Sequence, residues 1–145
     1  MSHNILFIAD SDRIDYQCHC LFHGLCELSS ITVYLLNDLP YMFSDYPIEN
    51  RASLYGMGFS ISCRISPQKR KMHDAQTARD NIKKLFYDII IYGGIDRCLD
   101  LWDVVKLYYN RTEIICVEGS DFMHPYLNAK LYLGSLDARC HLRWP

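Results

Sequence analysis

The sequence lacks any run approaching the ~18 apolar residues that a membrane span requires, so no span is predicted. Its amino terminus, MSHN, has no basic region leading into an apolar core, and Asp10 and Asp12 interrupt the only early apolar run. No secretory leader is therefore expected, and the chain reads as soluble and cytoplasmic. Excess charge of one sign is also missing: 15 Lys and Arg stand against 17 Asp and Glu, a net charge of -2. Nucleic acid or an anionic membrane would find no general basic field to hold it. The one basic cluster, Lys69-Arg70-Lys71, reads as a solvated loop. Glycine is absent from ADSDRID, the turn after the first apolar run, which removes the GxGxxG of nicotinamide and flavin domains. A P-loop is absent too. The nearest approach to the GxSxG of serine hydrolases, Glu118-Gly119-Ser120-Asp121, lacks the second glycine and so the strained elbow. A phosphoacceptor receiver would need an aspartate ending the central strand, where YDIIIYGG offers glycine.

Cysteine is present, but in the wrong pattern for a disulfide framework: seven residues, an odd count, scattered through predicted helices and strands. Cys18, His19, Cys20, His23 and Cys26 cluster in one predicted helix. Zinc sites draw ligands from separated elements, and no second CxxC or HxxxH exists to complete a tetrahedron. Neither a metal nor a cofactor is predicted.

What is there is an α/β pattern. With 145 residues, half of them apolar, the chain is one domain's worth. Asn4–Leu28 reads as a buried strand (Ile5–Ala9), a polar turn, and an amphipathic helix with Ile14, Cys18, Leu21, Leu25 and Leu28 on its apolar face. Asp12 is expected to cap that helix, with Asp15 in its first turn opposing the positive end of the dipole. ITVYLL (Ile31–Leu36) is a second strand. The following stretch to about Tyr55 is aromatic, acidic and without period, and is predicted as a long Tyr-rich loop serving as a contact surface or a lid. Gly56 and Gly58 bracket a turn into a short strand at Phe59–Cys63. Asp74 caps a helix to Phe86 with Ala75, Ala78, Ile82 and Leu85 inward. YDIIIY (Tyr87–Tyr92) is the clearest central strand, followed at once by Gly93 and Gly94, which permit a tight turn and close approach by a ligand or backbone. A helix at about Asp96–Tyr109 and a strand at Thr112–Val117 complete the pattern. Beyond them lie a short helix near Pro125–Ala129, a strand-like piece at Leu131–Leu133 and a tail with Arg139, Arg143 and Trp144.

The predicted fold is thus a single Rossmann-like α/β domain over 1–145, a doubly wound, mainly parallel sheet with helices on both faces. Right-handed crossovers place the first strand centrally, the second to one side and the Tyr87 strand to the other. The carboxyl ends of the strands then converge on one edge, bringing together Asp10, Asp12, Arg13, Gly93, Gly94, Arg97, Glu118, Ser120 and Asp121. Plain structural roles exist for single members, with Arg13 and Arg97 as partners of nearby carboxylates. The edge as a whole reads as a ligand or partner site.

The ordered motifs DSDRIDYQ-x-x-x-LFHGL, LPYMFSDYP, SLYGMGF, YDIIIYGGIDR and IICVEGSD resemble the amino-terminal half of bacterial glycosyltransferase-like proteins of the two-Rossmann-domain (GT-B) type, found among surface-polysaccharide enzymes. That resemblance implies an acceptor-holding domain with Asp12, Arg13, Asp15, Gly93, Arg97, Glu118, Gly119 and Asp121 lining the cleft. Such enzymes hold the nucleotide sugar in a second domain, which would begin where this sequence stops. The expected function is therefore a glycosyltransferase-like acceptor or sugar-binding domain, incomplete as a catalyst by itself and acting with a partner chain. The alternative is a non-catalytic protein–protein interaction module, contacting a partner chain or a second copy of itself through Tyr41, Phe43, Tyr46 and Trp144. A third reading, a small enzyme using Asp10, Arg13 and Asp121 on a phosphorylated or sugar substrate, has no recognisable nucleophile–base pair.

Overall fold

The computed structural model describes residues 2–12, 14–54 and 61–117. Its strands form where apolar side chains run without interruption. β1 (His3–Ile8), β2 (Ile31–Leu35), β3 (Ile89–Tyr92) and β4 (Ile114–Cys116) make a four-stranded sheet in the order β2-β1-β3-β4, and every pairing is parallel. Ile5 lies opposite Val33 on one side and Ile89 on the other, and Ile90 lies opposite Ile114. The order reverses between β1 and β3, the switch point of a doubly wound sheet.

Alternation along β1 divides the interior in two. Ile5 and Phe7 join Val33, Leu35 and Ile91 beneath α1 (Tyr16–Glu27), while Leu6 and Ile8 join Ile90, Tyr92 and Ile114 beneath α3 (Ala75–Lys83) and α4 (Trp102–Tyr108). With β1 covered on both faces, Leu6, Phe7 and Ile8 are all 0 % exposed. Only a continuous apolar run suits such a strand.

The helices depart from expectation in detail. Asp15, not Asp12, caps α1, its Oδ1 accepting the backbone N–H groups of Gln17 and Cys18 at 2.9 and 3.2 Å. The chain first makes a turn in which the Asp12 N–H donates to Asp10 Oδ1 (2.9 Å), and this delays the helix by three residues. The buried face of α1 centres on Cys18, His19 and Phe22. Leu28 falls beyond the helix in extended conformation and is exposed, while the Phe22 ring packs against Phe7 and Phe43. Asp74 caps α3 as expected, through the Thr77 N–H. That helix stops early: Leu85 turns left-handed (φ 53°), its N–H bonding to the Ile82 carbonyl and that of Phe86 to the Asn81 carbonyl. Leu85 is accordingly solvent-exposed rather than on the inner face. The predicted helix at 96–109 is shortened to α4 because Leu101, also left-handed (φ 59°), interrupts it.

The stretch after β2 is the largest departure. It contains a 3-10 turn at Pro40–Met42, the short α2 (Ile48–Arg51) and a second 3-10 turn at Ala52–Leu54. Leu39, Tyr41, Met42, Phe43 and Leu54 are core residues. Among the described residues no helix is long and apolar enough to cross a membrane. Of the expected strand at Phe59–Cys63, residues 61–63 form a turn, with Cys63 left-handed (φ 56°), while Phe59, Ser60 and the elements expected beyond Val117 lie outside the described residues.

Candidate functional site

The carboxyl ends of β1 and β3 are held together by backbone bonds, the Gly93 N–H donating to the Ile8 carbonyl at 2.8 Å. Above this join sits an ion-pair cluster. Arg97 Nη1 lies 2.9 Å from Asp15 Oδ2, and Arg97 Nε lies 3.3 Å from Asp96 Oδ2. All three side chains are largely buried, so the guanidinium ties the turn after β3 to the first turn of α1. The Gly94 carbonyl accepts the N–H groups of Arg97 and Cys98 and shapes that turn. Asp10 follows β1 half-buried, and Asp12 is exposed beside it.

Of the residues expected on this edge, the structure thus brings Asp10, Asp12, Asp15, Gly93, Gly94 and Arg97 to the β1–β3 switch point. Arg13, Glu118, Gly119, Ser120, Asp121 and Trp144 lie outside the described residues. Asp96 and Asp100 were not anticipated. Asp96 precedes Arg97 in the same turn, and Asp100 is anchored where its carbonyl accepts the Tyr92 hydroxyl (3.0 Å). At Gly93 the close approach is made by the protein itself: a Cβ there would lie 2.4 Å from Cys18 Sγ and 3.0 Å from two Phe7 ring atoms. Its missing side chain is what lets α1 lie on the sheet. Gly94 has no such constraint, with its nearest neighbour, Asp96 Oδ1, at 3.8 Å.

A groove of about 560 Å³ opens beside the switch point, lined by Ser11, Leu36 and Asn37 after β1 and β2, Ala75 and Arg79 of α3, and Asp100 and Leu101 before α4. Asn37 Nδ2 donates to Asp100 Oδ2 at 3.1 Å, and Arg79 is held by Asp103 at 2.9 Å. Positional logic alone, the carboxyl end of a strand, could have flagged Asn37. Arg79 and Asp100 reach the groove only through tertiary packing.

Beneath the edge, the buried His19 Nε2 and Tyr41 hydroxyl lie 2.9 Å apart. Burial pushes the His19 imidazole down to about 4, against a smaller upward pull from Asp15, and burial raises the Tyr41 phenol. The same burial, reinforced by the Asp15 charge, pushes the Cys18 thiol up to about 12, so it packs as an inert small side chain. Because the unfolded chain protonates its histidine near 6.5 and the folded chain near 4, protons bind the unfolded state first as pH falls. Stability from this group is complete above pH ~6.5 and declines toward pH ~4, by about 2 kcal/mol between pH 7 and pH 5. Urea melts at these two pH values should show that loss, and His19→Gln should flatten it. A wild-type profile no steeper than that of the variant would refute the assignment.

Among the described residues no group of three or more His, Cys, Asp or Glu side chains is arranged to hold a metal ion. Tyr41 and Phe43, expected as partner contacts, are 6 % and 0 % exposed and offer no surface, while Tyr46 is half-buried against them. The fold and its edge define a Rossmann-like parallel α/β domain with a carboxylate-rich switch point. Comparison with protein-family models, curated proteins and solved structures gives no match in any of the three.

Proposed function

We propose that the chain binds a neutral, polyhydroxylated ligand of the sugar class at its switch-point edge, as the acceptor-binding part of a glycosyltransferase-like system. The observation that carries this reading is the charge of the edge. Asp10, Asp12, Asp15, Asp96 and Asp100 gather around β1, β3 and the adjoining groove, while Arg97 is occupied by Asp15 and Asp96, and Arg79 by Asp103. Carboxylates accept hydrogen bonds from hydroxyl groups and repel phosphates. One further acceptor supports the reading: Asp96 Oδ1 is buried with no hydrogen-bond partner among the described residues. The groove is of a size suited to one or two sugar rings. The glycosyltransferase-like part rests on the motif resemblance, and DSDRIDYQ and YDIIIYGGIDR supply Asp10, Asp12, Asp15, Asp96 and Arg97 of this edge.

The test is a thermal-shift and calorimetric panel of neutral mono- and oligosaccharides against nucleoside diphosphates and nucleotide sugars. Ligand binding to the folded state raises the melting temperature by mass action. Neutral sugars should give a saturable shift that Asp12→Asn and Asp100→Asn weaken, and free nucleoside diphosphates should give none. Preferential binding of the diphosphates, or no shift with any sugar, would overturn the proposal.

A further inference from the structure

We propose that the sugar taken by the switch-point groove is an N-acetylhexosamine, with its acetamido group held between Asp100 and Arg79. The proposal rests on the sugar-binding reading above and narrows it to one class of neutral sugar. Hydroxyl groups alone could be met by carboxylates. The groove of about 560 Å³ offers two further kinds of surface: a guanidinium, from Arg79, and an apolar lining from Leu36, Ala75 and Leu101. A plain hexose has no use for either, since a hydroxyl set against leucine and alanine gives up its water without gaining a partner.

The acceptor of the groove is held in place from a distant part of the chain. Asn37 Nδ2 donates to Asp100 Oδ2 at 3.1 Å, a clasp between residues 63 positions apart. An ionised carboxylate has about four lone-pair sites, so this bond leaves Asp100 able to accept an N–H from a ligand. The donor is held as firmly. Asp103 accepts from Arg79 Nη1 and Nη2 at 2.9 and 3.5 Å, which fixes the guanidinium and offsets its charge. Arginine carries five N–H donors and no acceptor, and the remaining ones meet no acceptor among the described residues. What Arg79 calls for is therefore an oxygen acceptor. The surrounding carboxylates repel a phosphate in that place, whereas an amide carbonyl is neutral and accepts well. An acetamido group brings the three features together: an N–H for Asp100, a C=O for Arg79 and a methyl for the apolar lining. A free amino sugar would keep only the first and would set its positive charge beside the guanidinium.

The test is titration calorimetry of the full chain with two matched pairs, N-acetylglucosamine against glucose and N-acetylgalactosamine against galactose. At least one acetamido sugar should bind about tenfold or more tightly than its parent hexose, the ratio expected from one added hydrogen bond to a charged group. Arg79→Met keeps an apolar stem and removes every donor, so it should cost the acetamido sugar far more than the parent and bring the ratio towards parity. Because the Arg79–Asp103 pair lies near the surface, its loss should leave the fold intact, which a melting curve checks. Arg79→Lys retains a single-point donor and should give an intermediate ratio. Equal affinity for each acetamido sugar and its parent, or a ratio that Arg79→Met leaves unchanged, would overturn the acetamido assignment while sugar binding itself stood. Absence of binding by all four sugars would overturn both.

Discussion

Phe43→Ala should destabilise the protein by about 3–5 kcal/mol, the range for truncating a buried phenylalanine that leaves a cavity. The ring is 0 % exposed. It meets Phe22 of α1 edge-on at a centroid distance of 6.1 Å and carries the Arg70 guanidinium on its other side at 4.5 Å. Its backbone forms a bridge with Ile65. Truncation therefore removes a packing partner of α1 and also the platform on which Arg70 sits between Asp38 and Asp45, so the loss should exceed that of a simple cavity. Chemical denaturation should report it directly. Phe43→Leu, which keeps most of the volume, should cost about 1–2 kcal/mol, and Tyr46→Ala, at a half-buried ring, less than Phe43→Ala. If Phe43→Ala were nearly neutral in stability yet lost a binding partner, the aromatic stretch would be a contact surface after all and its burial misassigned.

That experiment bears on what could be read in advance. Three of the four strands were legible as unbroken apolar runs, Ile5–Ile8, Ile89–Tyr92 and Ile114–Cys116, which need no partner to be recognised, and β2 by its partial alternation. The strand order followed from the right-handed crossover rule, since β1-α1-β2 and β3-α4-β4 place their helices on opposite faces and so step in opposite directions from the centre. Leu39–Phe43 was illegible for the complementary reason. It is buried without being regular, so neither the 2-residue nor the 3.6-residue period marks it, and its tyrosines look as suited to a surface as to a core. The limits of α3 and α4 were hidden by left-handed leucines, a conformation that sequence rules assign to glycine or asparagine.

The candidate site divides along the same line. Asp10, Asp12 and Arg97 could be placed at the edge because each follows a strand end directly. The pairing of Arg97 with Asp15 spans 82 positions of sequence and depends on how α1 sits on β3. The Asp12 and Asp15 roles were exchanged for a local reason. Both are capping residues by type, and the competing Asp10–Asp12 turn decides between them.

How α1 sits on β3 is the subject of the second large effect. Gly93→Val should destabilise the protein by more than ~3 kcal/mol, beyond ordinary overpacking, because even the first added carbon would meet Cys18 Sγ at 2.4 Å and the Phe7 ring at 3.0 Å. Neither neighbour can withdraw easily. Phe7 is 0 % exposed on the central strand, and Cys18 is 3 % exposed in the first turn of the helix that Asp15 caps. Relief must come from shifting α1 outward, and that would pull Asp15 away from Arg97 and open the switch point. Gly93→Ala should be milder, about 1–3 kcal/mol, and its partial rescue by Cys18→Ala should appear as a coupling of about 1 kcal/mol or more in a double-mutant cycle. Gly94→Ala, one residue along, should change stability by no more than about 0.5 kcal/mol, since its Cβ would meet only ordinary van der Waals contact. The contrast between adjacent glycines separates two explanations of the pair. If it existed to admit a ligand, both alanine variants would fold normally and lose binding. If Gly93 exists to seat the helix, it alone should lower the melting temperature, and any loss of sugar binding should follow the displacement of Asp15 rather than a blocked approach.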